Sequence, residues 1–93
     1  MSEYRIFETQ EFRKRLAKVS PSDLEFIRNK LHTHTYPQLR QTPYFGPNIK
    51  KLQGYKPELW RYRIGRFRIF YLVDESRHIV FMLTLDDRKD AYR

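Results

Sequence analysis

Leu59-Trp60-Arg61-Tyr62-Arg63-Ile64-Gly65-Arg66-Phe67-Arg68-Ile69-Phe70-Tyr71 sets large apolar residues in alternation with arginines on both sides of a glycine. Alternation at period 2 marks a strand with one buried face. Gly65-Arg66 suits a two-residue II′ turn, whose first central position needs φ > 0. The stretch reads as a β-hairpin, and its turn fixes the register. Ile64 pairs with Phe67, Arg63 stands opposite Arg68, Tyr62 opposite Ile69, Arg61 opposite Phe70 and Trp60 opposite Tyr71. One face then carries Trp60, Tyr62, Ile64, Phe67, Ile69 and Tyr71, and the other carries Arg61, Arg63 and Arg68 with Phe70.

Like charges directly opposed on paired strands destabilise a sheet by up to roughly 1 kcal/mol. The fold gains nothing from Arg63 against Arg68, whereas an anion on that face removes the conflict, and guanidinium groups bind phosphate well. A hydrated strand face is the plainer reading of any one of these arginines. The three together point to an anion site.

Length and composition narrow the partners. Ninety-three residues make one domain, 1–93, able to bury a core without metal or disulfide, and there is no cysteine. The N-terminus has no apolar signal region and no apolar run is long enough to span a bilayer, so a soluble, cytoplasmic protein with no membrane partner is expected. The net charge is +8, from 19 basic and 11 acidic residues. It is spread over the chain rather than held in a tail, so a polyanion would bind the folded surface. Seven Tyr, seven Phe and one Trp supply a core and leave rings for stacking.

Outward from the hairpin, Tyr4-Arg5-Ile6-Phe7-Glu8 reads as a first strand. Thr9 caps a helix from Gln10 to about Val19, with Phe12, Leu16 and Val19 on its apolar side. Ser20-Pro21-Ser22-Asp23 starts a second helix whose stripe is Leu24, Ile27 and Leu31 with Phe26 beside them. That helix is expected to fray at His32-Thr33-His34-Thr35, before Pro37. Tyr36 to Pro57 holds four of the five prolines and two of the three glycines and reads as a long loop, with Ile49 to Gly54 as a turn tacked to the core and Lys50 and Lys51 facing out. After the hairpin, Asp74 to Arg77 makes a turn and His78 to Leu85 a nearly continuous apolar strand, expected at the centre of the sheet with both faces covered. The predicted fold class is α+β: a two-layer β-α-α-β-β-β arrangement, a helical hairpin packed on one face of a mainly antiparallel twisted sheet.

The chain resembles toxins of the RelE/ParE superfamily, from type II toxin-antitoxin systems. The element order carries the likeness, together with Lys51-Leu52-Gln53-Gly54, Trp60-Arg61-Tyr62-Arg63-Ile64-Gly65, Phe67-Arg68-Ile69-Phe70-Tyr71 and Asp87-Arg88-Lys89-Asp90-Ala91-Tyr92. In its RelE-like branch the resemblance implies a ribosome-dependent mRNA endonuclease that works in the 30S A site without metal or other cofactor. It also implies a cognate antitoxin protein as partner. Carried over by position, the catalytic residues are Arg61, Arg63, Arg68, Arg88 and Tyr92, with RNA contacts from Lys50, Lys51, Arg66, Phe70 and Lys89. The chain departs from the pattern at Asp87, where many relatives carry histidine or lysine.

Metal-free RNA cleavage needs a deprotonated 2′-hydroxyl, a stabilised phosphorane and a neutralised 5′-oxygen. Arginines meet the second need, and the resemblance makes Arg88 or Arg68 the candidate for the third. Tyr92, its pKa lowered from ~10 by surrounding cations, is the candidate base. Without the resemblance, Tyr92 reads as an anchor for the tail. The sequence ends at Arg93, one residue past it, so no further C-terminal helix is expected. His32 and His34, two apart on a helix end, diverge, and no third ligand accompanies them, so no metal site is expected; His78 reads as structural or solvated. Trp60 and Tyr62 read as core, and Phe70 as the aromatic on the arginine face. A ParE-like gyrase inhibitor and a non-catalytic RNA-binding module remain alternatives on the same fold.

Overall fold

A computed structural model describes residues 3–87. Strand β1 spans Arg5–Glu8 and helices α1 and α2 span Gln10–Ala17 and Pro21–Lys30. A π-helical turn follows at Leu31–Thr35, then helix α3 at Tyr36–Gln41. Strands β2 to β5 cover Ile49–Leu52, Leu59–Ile64, Phe67–Asp74 and Ile79–Asp87. The sheet order is β1-β5-β4-β3-β2. From β2 to β5 the sheet is an antiparallel meander, and β1 adds to β5 in parallel. This is the expected α+β class with helices packed on one face of the sheet.

Capping residues set the helix starts. The Thr9 hydroxyl accepts from the Phe12 N–H (3.2 Å) and donates to the Met82 carbonyl (2.7 Å), so one side chain both begins α1 and ties it to β5. Ser20 accepts from the Asp23 N–H (3.3 Å), with Pro21 in the first turn of α2. Phe12 and Leu16 from α1, and Ile27, Leu31, Tyr36 and Leu39 from the helical arm, pack on Tyr62, Ile64, Phe67, Ile69, Tyr71, Val80, Met82 and Leu85 of the sheet. Fully burying one such side chain contributes roughly 1.5–3 kcal/mol relative to leaving it exposed. Tyr71 is sealed in the core, where its hydroxyl donates to the Pro43 carbonyl (2.7 Å).

Five expectations are corrected. The second helix does not fray at His32–Thr35 but widens into a π turn, in which the Tyr36 N–H reaches the Leu31 carbonyl, and runs on into α3 with Pro37 in its first turn. The missing N–H of Pro37 costs this continuous helical arm one hydrogen bond, and the buried Leu31, Tyr36 and Leu39 outweigh that loss and the weak local propensity. The segment from Tyr36 to Pro57 is therefore no continuous loop. Within it, Ile49 to Leu52 is a strand rather than a turn, paired with Leu59 to Tyr62, so the meander has four strands rather than three. Helix α1 stops at Ala17, although Val19 still packs against the core. Finally, β5 lies inside the sheet but is covered on one face only: Val80, Met82 and Leu85 are buried, and the residues between them are half-exposed. A bulge opposite Phe70 and Tyr71 leaves Leu83 outside the pairing and restores the alternation beyond it.

Candidate nucleic-acid interface

The hairpin has the expected register: Trp60 opposite Tyr71, Arg61 opposite Phe70, Tyr62 opposite Ile69, Arg63 opposite Arg68 and Ile64 opposite Phe67. Gly65 has φ +57, and Arg66 is not in the left-handed region, as a II′ turn requires. The next strands extend the arginine face. Lys50 pairs with Arg61, Thr84 with Phe70 and Asp86 with Arg68, so two rows cross the open side of the sheet: Lys50-Arg61-Phe70-Thr84 and Arg63-Arg68-Asp86. Beyond them the pairs are apolar, Leu52 with Leu59 and Leu72 with Phe81 and Phe7, ending at a Phe7 that is 53% exposed.

Charge on this face is poorly balanced. Among the described residues neither Arg61 nor Arg63 pairs with a carboxylate, and the one acid near Arg68, Asp86, stands 3.9 Å off and also faces Arg15 at 3.8 Å. Burial, then the charges of Arg63 and Arg68, push the Arg61 pKa down from its ordinary value. An arginine keeps its proton in proteins, so the part of this shift that comes from Arg63 and Arg68 is a repulsion that a bound anion would relieve. Arg61 Nε, Arg68 Nε and Thr84 Oγ1 are buried without a hydrogen-bond partner among the described residues. An unmet buried donor costs about 1–3 kcal/mol, so the face carries an electrostatic and a hydrogen-bonding deficit together.

The structure brings Arg61, Arg63, Arg68, Lys50 and Phe70 onto one face. It does not bring Lys51 there: that residue stands opposite Trp60, on the alternate side of β2, and pairs with Glu58 (3.3 Å). Arg66 is occupied elsewhere. Its Nε donates to both Asp87 oxygens (2.9 and 3.1 Å), its Nη2 donates to Asp23 (2.6 Å), and its guanidinium lies 4.7 Å from the Phe67 ring centroid. Asp87, the departure from the family pattern, thus helps hold the hairpin tip to the start of α2 and the end of β5. Arg88, Lys89 and Tyr92 lie outside the described residues.

Trp60 is partly buried against the core and leans on Tyr44 at 5.1 Å, and Tyr62 is buried. His78, with φ +56, stacks on Tyr4 at 4.3 Å, and its Nε2 lies 3.5 Å from Glu75. Glu75 also accepts from the Tyr4 (2.8 Å) and Tyr44 (2.6 Å) hydroxyls, a cluster that ties the β4–β5 turn to the start of β1 and to the loop after α3. Sequence reading missed Thr84 and Asp86 as members of the face, because their place depends on the β5 bulge. Among the described residues no group of three or more acidic, histidine or cysteine side chains could hold a metal, and no helix is long and apolar enough to cross a membrane.

A family model described as the ParE toxin of the type II toxin-antitoxin system parDE matches residues 6–92. No curated protein matches the chain. Among solved structures, the toxin-antitoxin complex RelBE2 from Mycobacterium tuberculosis is 23% identical with a TM-score of 0.70, covering 92% of this chain and 99% of that one. The intact RelBE toxin-antitoxin complex of E. coli is 20% identical with a TM-score of 0.66, over 90% and 95% of the two chains. The isolated E. coli RelE toxin is 21% identical with a TM-score of 0.66, over 90% and 83%. These likenesses establish a shared fold.

Proposed function

The chain belongs to the ParE toxin family of type II toxin-antitoxin systems, within the RelE/ParE superfamily, and from that premise we propose that it cleaves mRNA in the ribosomal 30S A site as a metal-independent endoribonuclease. The observation that carries this reading is the open face on which Arg61, Arg63 and Arg68 lie together, two of them without a carboxylate partner among the described residues. Three fixed cations on a rigid sheet suit the phosphorane formed when a 2′-oxygen attacks the adjacent phosphorus. They need no reorganisation as the charge develops. Phe70, in the same row as Arg61, offers a ring for a base, and Lys50 a contact to the strand's backbone.

The remaining chemistry falls to the tail. Tyr92 takes the 2′-hydroxyl proton as the 2′-oxygen bonds to phosphorus, and Arg88 or Arg68 neutralises the 5′-oxygen that leaves, with Lys89 on the RNA backbone; these roles come from the resemblance. An acidic or amphipathic antitoxin covers the basic face in the inactive complex, in the cytoplasm. A second reading, inhibition of DNA gyrase, is favoured by the family description itself, which is that of a ParE toxin.

In vitro translation followed by primer extension on the mRNA separates the two. Wild-type protein should give stops at A-site codons that disappear in Arg68→Ala and Tyr92→Phe. Intact mRNA together with gyrase-dependent DNA breaks would overturn the cleavage reading.

A further inference from the structure

Beside the hairpin tip, on the helical side of the sheet, lies a cavity of about 420 Å³. It exists because β2 stops short. The last β2–β3 pair is Ile49 with Tyr62, and the Arg63 N–H is then taken by the Asn48 carbonyl (3.0 Å), which leaves the edge of β3 uncovered from Ile64 to Gly65. The π turn and α3 pass over this gap. Lys30, His34, Thr35 and Gln38 from the helical arm face Asn48 and Arg63 across it, and Tyr62, Ile64 and Pro47 add apolar surface.

Three features make this more than a packing gap. First, no carboxylate lines it, and neither Lys30 nor Arg63 pairs with one among the described residues. Second, Thr35 in its wall is fully buried and its hydroxyl has no hydrogen-bond partner among the described residues. Thr33, two positions earlier, satisfies its own hydroxyl on the Asn29 carbonyl (2.7 Å) in the usual helical way. Third, the wall is held in place. The Gln38 amide accepts from the Tyr62 hydroxyl (3.0 Å) and donates to the Phe45 carbonyl (2.9 Å), and a Cβ at Gly46 would collide with it. His34 is fixed as well: since the Thr33 proton goes to Asn29, the His34 Nδ1–H must donate to Thr33 Oγ1 (2.7 Å). Single π turns inside helices are frequent at functional sites, and the volume lies within the range of small-ligand sites.

We propose that this cavity binds a nucleoside phosphate. Cations without acids select an anion, and the volume is far greater than an inorganic phosphate requires. Side-chain amides beside an aromatic and a proline suit a flat polar ring, as in the recognition of unstacked bases. The nucleotide is either free or one unit of a single RNA strand, and Arg63 gives such a strand a path, since it belongs both to the open face and to the cavity rim. The cavity stands independently of the cleavage reading, because none of its helical residues is assigned to that chemistry.

The test is an NMR titration of the full chain with each of the four 5′-nucleoside monophosphates, with inorganic phosphate, and with a short all-2′-deoxy strand that cannot be cleaved. At least one monophosphate, or the strand, should shift the His34, Thr35 and Asn48 amides saturably while equal inorganic phosphate does not. Lys30→Ala, at a half-exposed site, should weaken that response about ten- to a hundredfold, the range for a lost charge-assisted contact. Shifts from monophosphates identify a free ligand; shifts from the strand alone identify a strand unit. Changes confined to Arg61, Arg63 and Arg68, or an equal response to inorganic phosphate, would overturn the proposal. Loss of A-site cleavage with the titration intact would sink only the cleavage reading.

Discussion

Arg63→Thr should make the protein more stable in dilute buffer while weakening its hold on polyanions. Arg63 is exposed, stands opposite Arg68 and lies two residues along the same strand face from Arg61, so it has two like-charged neighbours. Guanidinium groups ~7 Å apart repel by ~0.6 kcal/mol in bulk water, which puts the relief from two such pairs at about 1 kcal/mol. Threonine keeps a good strand former in place, so little is lost in exchange. Solvent screening sets the salt dependence: at about 0.01 M the Debye length is ~30 Å and nearly all the repulsion survives, and at about 1 M it is ~3 Å and almost none does. Urea unfolding of both proteins at these two salt concentrations measures the effect. The variant should be more stable by about 0.5–1 kcal/mol at low salt, a rise of roughly 2–8 °C in Tm for a domain of this size, and indistinguishable at high salt. The same substitution should lower affinity for a short single-stranded RNA and flatten its salt dependence by about one charge. No gain at low salt, or a gain that persists at 1 M, would refute the argument that the face is electrostatically strained.

Gly65→Ala places a Cβ at φ +57 and 3.2 Å from the Phe26 ring, and should cost about 1–2 kcal/mol; an unchanged melting temperature would contradict the II′ turn. The Glu75 carboxyl is held below its ordinary pKa, first by the Tyr44 hydroxyl and then by that of Tyr4. Its contribution to stability is therefore present above the unfolded carboxylate range near ~4.3 and lost as pH falls through the folded value. Glu75→Gln should remove that part of the acid sensitivity, and a stability–pH curve between about pH 2 and 7 that parallels wild type would count against it.

Much of this fold is legible in the sequence because its signals are local. The alternation from Leu59 to Tyr71 fixes five cross-strand pairs, and Thr9 and Ser20 mark helix starts through bonds to residues three positions on. What escapes the sequence depends on distant partners. Ile49 to Leu52 is four residues long, its middle two are lysines, and it is a strand only because β3 offers a free edge. The helical arm continues past His32 because Leu31, Tyr36 and Leu39 find the core, a gain invisible to propensity. At the candidate site the same division holds. Arg61, Arg63, Arg68 and Phe70 follow from alternation alone, whereas Asp86 and Thr84 reach that face through a bulge, and Arg66 is drawn off it by Asp23 and Asp87.

The parallel docking of β1 on β5 bears on how the protein is made. Arg5 leaves the ribosome well before its partner Ile79, which belongs to the last strand among the described residues. At ~5–20 residues per second, β1 and the helices that follow wait several seconds with no strand to join. Meanwhile β2, β3 and β4 can zip as neighbouring hairpins as they emerge. Until β5 arrives, Thr9 has no Met82 carbonyl to hold and the apolar sides of both layers stay open. A chain interrupted before β5 leaves that core unsealed, so the arginine face gains a stable scaffold only once β5 has been made.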